Sequence, residues 1–100
     1  MKVEFIEPAF VELDDAIEYY NLQSDGLGNK FLEEIATNIR FISKFPNAWP
    51  KYTEHTFKIT LRNFPYNLIF SIKNNTIYIL AVAHHHREPE YWISRTHNRK

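Results

Sequence analysis

The spacing of apolar residues along this chain changes from a helical period to a period of two about halfway through. Val3 and Phe5 alternate with polar neighbours, predicting a short strand over Lys2–Ile6. Glu7-Pro8 then opens a helix, because proline at the first helical position lacks only an N–H that would have no partner there. Phe10, Leu13, Ile17 and Tyr20 recur at helical spacing, with Glu12, Asp15 and Glu18 outside that stripe, so the first helix reaches about Leu22. Asn21–Gly28 forms the turn and holds both glycines of the chain, Gly26 and Gly28. Leu27, Phe31, Ile35, Ile39 and Ile42 trace a second helix ending near Phe45-Pro46, and the pair makes a helical hairpin.

A proline-punctuated connector, "FPNAWPKY" (45–52), separates this hairpin from strands. Phe57, Ile59 and Leu61 alternate with Lys58, Thr60 and Arg62, and Tyr66, Leu68, Phe70 and Ile72 with Asn67, Ile69, Ser71 and Lys73. Asn74-Asn75 is a two-residue hairpin turn, since asparagine tolerates positive φ, and Ile77–His84 is the next strand. Counting back from that turn, Ile72 faces Ile77, Phe70 faces Ile79, Leu68 faces Ala81 and Tyr66 faces Ala83. This nearly all-apolar face is expected to meet the helices. The opposite face carries Asn67, Ile69, Ser71, Lys73, Tyr78, Leu80 and Val82 and continues into His84 and His86, leaving His85 on the core side. A slip of one residue would reverse the assignment. The fold class expected is α+β: an N-terminal strand, a helical hairpin, then antiparallel strands forming one small sheet packed on the helices.

Length and composition bound the rest. One hundred residues make one domain, with enough core to fold without staples. No cysteine is present, which removes disulfides and thiolate metal sites. No apolar run approaches the roughly 20 residues of a membrane helix and no signal peptide is visible, so the expected location is the cytoplasm. The net charge is zero but lopsided: residues 1–50 hold nine acids and four bases, residues 51–100 three acids and eight bases plus all five histidines. Two readings follow, an anionic partner for the basic half or an acidic helix surface beside a basic sheet surface.

The chemistry concentrates in "AVAHHHREPEYW" (81–92). As metal ligands, His84 and His86 need a third donor from His97, His55 or Glu88, and no spacing motif joins them, so neither a metal nor another cofactor is expected. As acid–base groups they sit beside Arg62, Arg87 and Tyr91, a set suited to cleaving RNA through its 2′-hydroxyl. As plain structure they are a polar strand end. Tyr91 and Trp92 read either as an exposed stacking pair or as a tail folded back with Ile93 over the apolar strip of Ile69, Tyr78, Leu80 and Val82.

The order strand, helical hairpin, antiparallel strands resembles the RelE/ParE toxin superfamily. So do "FPNAWP" after the second helix, "LRNFPYNLIF" (61–70) and "ILAVAHHHREPEYWISR" (79–95), and the likeness spans essentially the whole chain as a single toxin domain. It implies the toxin of a bacterial type II toxin–antitoxin module, of the plasmid-stabilization kind, held inactive by a cognate antitoxin. RelE-like members cleave mRNA on the ribosome through cations and a tyrosine or histidine. ParE-like members poison DNA gyrase without hydrolysing anything themselves. Here Asn67 follows Phe-Pro-Tyr where RelE-type nucleases often place an arginine, and histidines precede Arg87 where they tend to carry lysine or arginine. Tyr91 does match their C-terminal tyrosine. With the zero net charge, which suits a ribosomal RNA binder poorly, these departures favour the gyrase inhibitor. The alternatives are the ribosome-dependent mRNA endoribonuclease, with Arg62, His84, His86, Arg87 and Tyr91 as its catalytic set, and a member that only binds. The expected target- or partner-binding residues are Lys58, Arg62, Asn67, His84, His86, Arg87, Tyr91, Trp92 and Arg95.

Overall fold

The computed structural model describes residues 1–97, the His97 side chain excepted. Its elements are β1 (Lys2–Phe5), α1 (Glu7–Gln23), α2 (Leu27–Lys44), β2 (Phe57–Thr60), β3 (Tyr66–Lys73), β4 (Thr76–His84) and a short α3 (Ser94–His97). The four strands form one sheet in the order β1-β4-β3-β2, with β1 parallel to β4 and the other pairs antiparallel. The α1–α2 hairpin covers one face. This is the α+β arrangement expected, with α3 as an addition that the periodicity did not mark.

Local chemistry explains the helical hairpin. Pro8 lies in the first turn of α1. At the other end the Ser24 N–H closes onto the Tyr20 carbonyl. Gly26 takes φ 83° as the residue before α2, a left-handed conformation that glycine adopts without a Cβ penalty. Asn21 Oδ1 accepts the Gly28 N–H at 2.8 Å, so a side chain of α1 caps α2. Gly28 also lies at a close approach of the helices: a Cβ there would overlap the Ile17 carbonyl oxygen and come to 2.7 Å of Asn21 Cγ.

The α2 stripe lies where expected, with Phe31, Ile35 and Ile42 buried. The α1 stripe holds at Leu13, which is buried, and at Ile17 and Tyr20, which pack against the core, and fails at its first member. Phe10 is exposed, and the buried positions are Ala9, Leu13 and Ala16. The core-facing side of α1 therefore takes in Ala9 and Ala16 in place of Phe10, and it borders Glu12, three residues after Ala9 and four before Ala16.

The β3–β4 hairpin turns at Asn74 and Asn75, with φ 53° and 58°. Pairing follows the expected register through Ile72↔Ile77 and Phe70↔Ile79, and then shifts. Ile69 pairs with Ala81, Leu68 with Val82, Asn67 with Ala83 and Tyr66 with His84, so Leu80 is the extra residue of a β-bulge. The expected pairs Leu68–Ala81 and Tyr66–Ala83 are corrected by this, and every side chain beyond Leu80 changes face. Val82 joins the main core between sheet and helices, with Leu68, Phe70, Ile77 and Ile79. Leu80, Ala81 and Ala83 join Ile69 in a second cluster on the opposite face. That second face is closed by the chain's own tail: Trp92 is 2% exposed within the cluster, with Tyr91 and Ile93 packed against it.

Candidate functional site

The bulge determines what the histidines face. His84 lies on the helix side, opposite Tyr66, with their ring centroids 4.9 Å apart. His85 continues the ladder by donating its N–H to the Pro65 carbonyl at 2.8 Å, and it borders a small pocket with Asn67, Ile69 and Ala83 on the second face. The expected placement, with His84 and His86 outward and His85 inward, is corrected for His84 and His85 by one inserted residue. His86 is exposed at the turn, where its N–H donates to His84 Nδ1 at 3.0 Å and its ring lies 4.8 Å from the His84 ring. Accepting that bond requires an unprotonated Nδ1. Partial burial, reinforced by His86 and His85, lowers the His84 pKa below its usual 6.5.

Behind His84 runs a chain of rings. Tyr66 meets Phe31 at 5.0 Å and Tyr20 at 6.2 Å, and Tyr20 meets Phe64 at 4.9 Å. Burial, and secondarily the neighbouring Tyr20, pushes the Tyr66 phenol up to about 12, so it stays protonated near neutral pH.

The residue that organises the C-terminal tail is Glu12, which the sequence reading placed outside the first helical stripe. Its side chain is 14% exposed. Glu12 Oε1 accepts the Val82 N–H at 3.0 Å and Arg95 Nη1 at 3.0 Å. Glu12 Oε2 accepts the Tyr91 hydroxyl at 2.6 Å and Arg95 Nη2 at 3.0 Å, and lies 4.0 Å from Arg87 Nη1. Arg95 Nη1 also donates to the Leu80 carbonyl at 2.9 Å. β1 pairs with β4 only as far as Ile79, so Glu12 and Arg95 take up backbone groups of β4 just beyond the end of its neighbouring strand. Burial first, then the bond to Glu12 and its charge, raises the Tyr91 pKa, with Arg95 and Arg87 opposing. Burial alone would lower the Arg95 pKa, and the bond and charge of Glu12 outweigh it to give a net rise. The Arg87 guanidinium stacks 3.8 Å above the Tyr91 ring and stays about half exposed.

The remaining expected residues are dispersed. Lys58 and Asn67 lie on the second face: Lys58 Nζ sits 4.3 Å from the Tyr52 ring centre, and Asn67 Oδ1 accepts the Thr60 hydroxyl at 2.8 Å. Tyr52 in turn contacts Trp92, with centroids 5.9 Å apart. Trp92 is buried, so the structure makes it core where the sequence suggested a contact. Arg62 and His84, expected together, line different clefts: Arg62 lines a groove of about 810 Å³ along α2 with Leu27, Phe41 and Phe64, and His84 borders one with Glu12 and Arg87. Glu34 of α2 holds that turn by accepting the backbone N–H groups of Arg62 and Asn63. His55, proposed as a third metal donor, pairs with exposed Glu54 at 3.9 Å, and the His97 side chain lies outside the described residues. Among the described residues no cluster of three or more His, Asp or Glu side chains is arranged to hold a metal ion, and no helix is long and apolar enough to cross a membrane.

Comparison with known proteins follows the same lines. Among solved structures, the chain is similar to one from the chromosomal ParDE toxin–antitoxin system of P. aeruginosa, with a TM-score of 0.70 and 19% identity over 84% of this chain and 95% of that one. It is also similar to the isolated E. coli RelE toxin, with a TM-score of 0.64 and 17% identity over 97% of each chain. At such identities the likeness speaks for the fold. No curated protein matches the chain significantly. The sequence profile described as the ParE toxin of the type II toxin–antitoxin system parDE matches residues 3–89. The chain belongs to the ParE toxin family of type II toxin–antitoxin systems.

Proposed function

We propose that this chain is a toxin that inhibits DNA gyrase and is neutralised by a cognate antitoxin. Family membership implies the antitoxin partner. The observation that carries the gyrase reading is the dispersal of the acid–base groups. The Tyr91 hydroxyl is bound to Glu12, Arg95 is bound to Glu12 and the Leu80 carbonyl, and Arg62 lines the groove along α2. A nuclease needs a base, an acid and phosphate-binding cations converging on one reacting atom. What the tip offers instead is an exposed relief of His86, Arg87 and His85 beside the ordered Tyr91 ring, suited to contact with a protein target. The groove along α2, with apolar Leu27, Phe41 and Phe64 flanked by Lys30, Glu33 and Arg62, is where an antitoxin segment fits best. On the second face the tail follows the second of its two readings from sequence, with Trp92 packed on Ile69 and Leu80 and flanked by Tyr91 and Ile93.

One observation favours the mRNA-cleaving alternative: His84 and Arg87 border a common cleft with Tyr66 and Glu12, which brings a histidine and a cation together. The test is a pair of assays on purified wild type and the His84→Ala/His86→Ala double variant. Gyrase supercoiling inhibited by both, with mRNA intact on translating ribosomes, supports the proposal. Ribosome-dependent mRNA cleavage that the double variant loses by about 10²–10⁴-fold, as removal of a proton-transfer partner does, replaces it.

A further inference from the structure

We propose that Glu12 is the positioning residue of the toxic surface, holding Arg87 and Tyr91 in the arrangement that the target meets without itself contacting the target. The inference rests on the reading of the His85–Tyr91 tip as the target contact.

The geometry gives Glu12 that role because one carboxylate serves four neighbours. An ionised carboxylate offers about four acceptor sites. Here they are filled by the Val82 N–H, the Tyr91 hydroxyl and two Arg95 nitrogens at 2.6–3.0 Å. No site remains for a direct bond to Arg87, which lies 4.0 Å away and is held by charge and by the Tyr91 ring beneath it. The chain of dependence runs from α1, through the Glu12 carboxylate, to the Tyr91 ring, to the Arg87 guanidinium. The Arg87 backbone is placed separately, by its N–H bond to the His84 carbonyl at 3.0 Å. Glu12 therefore sets the orientation of the Arg87 side chain more than the path of its backbone. Loss of the carboxylate frees two side chains that the target must then immobilise, a cost paid in affinity.

The experiment compares Glu12→Gln, Tyr91→Phe, Arg87→Ala and the Glu12→Gln/Arg87→Ala double variant in bacteria lacking antitoxin. Growth arrest is measured against the amount of soluble toxin, and thermal unfolding is recorded on the purified proteins. Glutamine keeps an acceptor for Val82 and removes the charge. Phenylalanine keeps the ring and the packing and removes only the bond to Glu12. The expected result is that Glu12→Gln weakens toxicity per folded molecule by roughly tenfold, the order expected for two freed side chains. Tyr91→Phe shows a smaller loss in the same direction, and the double variant is weaker than Arg87→Ala by only about threefold, the share left to Tyr91, instead of the full tenfold. A purely structural Glu12 would lower the unfolding temperature, leave toxicity per folded molecule unchanged, and act additively with Arg87→Ala. That outcome overturns the proposal while leaving the tip intact as the contact. If Glu12→Gln does not fold, an unchanged Tyr91→Phe overturns it alone. Full toxicity in Arg87→Ala overturns the reading of the tip itself, and the proposal with it.

Discussion

Replacing Trp92 with alanine distinguishes a tail that belongs to the core from a tail that waits for a partner. In the structure Trp92 is 2% exposed against Ile69, Leu80, Ala81 and Ala83, and its ring meets Tyr52. A buried tryptophan removes about 200 Å² from water, which at roughly 25 cal/mol per Å² amounts to about 5 kcal/mol. The substituted alanine keeps a minor part of this, and the vacated cavity adds to the loss, so a cost of about 3–5 kcal/mol is expected. A domain of this size holds about 5–15 kcal/mol in total. The variant should thus lose a large share of its stability, and its unfolding temperature should drop by at least about 12 °C. Urea unfolding followed by far-ultraviolet circular dichroism measures this without depending on the fluorescence of the deleted residue. Trp92→Phe should recover part of the loss. A Trp92→Ala protein within about 0.5 kcal/mol of wild type, the usual range for surface substitutions, would refute the placement of the tail.

Three further outcomes follow from the geometry. Gly28→Ala should destabilise by roughly 1–3 kcal/mol despite the better helix propensity of alanine, because the new Cβ meets the Ile17 carbonyl and displaces Asn21 from its cap; a more stable variant in thermal unfolding would contradict the close approach. His84 is depressed below 6.5 in the fold, so as the pH falls the unfolded chain binds the proton first and the native state loses stability through that window. The drop in urea midpoint between pH 7.5 and 5.5 should therefore shrink in His84→Asn, which keeps an acceptor for His86, and an unchanged drop would show that His84 does not cause it. Arg62→Ala should leave the unfolding temperature near wild type, since Glu34 holds the Arg62 backbone N–H and leaves the side chain exposed, yet weaken antitoxin binding by calorimetry; unchanged affinity would remove the α2 groove from the antitoxin's path.

The helical hairpin, the change of period and the Asn74-Asn75 turn were legible because each rests on local chemistry: a stripe of apolar residues, a proline at a helix start, asparagines at positive φ. The bulge at Leu80 was not. From Ile77 to Ala83 the strand is apolar on both faces apart from Tyr78, so no alternation of polar residues pins its register, and an inserted residue leaves no trace in the pattern. The faces of His84 and His85 were misassigned for that one reason. Glu12 was missed for a different one. Phe10 appeared to define the buried stripe of α1, yet it is exposed, and small Ala9 and Ala16 share the inner side with Leu13 and leave room for a carboxylate. Two alanines flanking a glutamate at helical spacing were the available signal. The partner of that glutamate, Arg95, lies 83 residues away, beyond the reach of any local pattern.

The most direct test of the account is a titration of purified toxin against purified DNA gyrase, scoring supercoiling and trapped DNA cleavage on one gel, with Arg87→Ala run alongside. The account predicts dose-dependent inhibition by the wild type and a weaker response from Arg87→Ala, with the added antitoxin restoring supercoiling. Gyrase that supercoils normally at saturating folded toxin would contradict it.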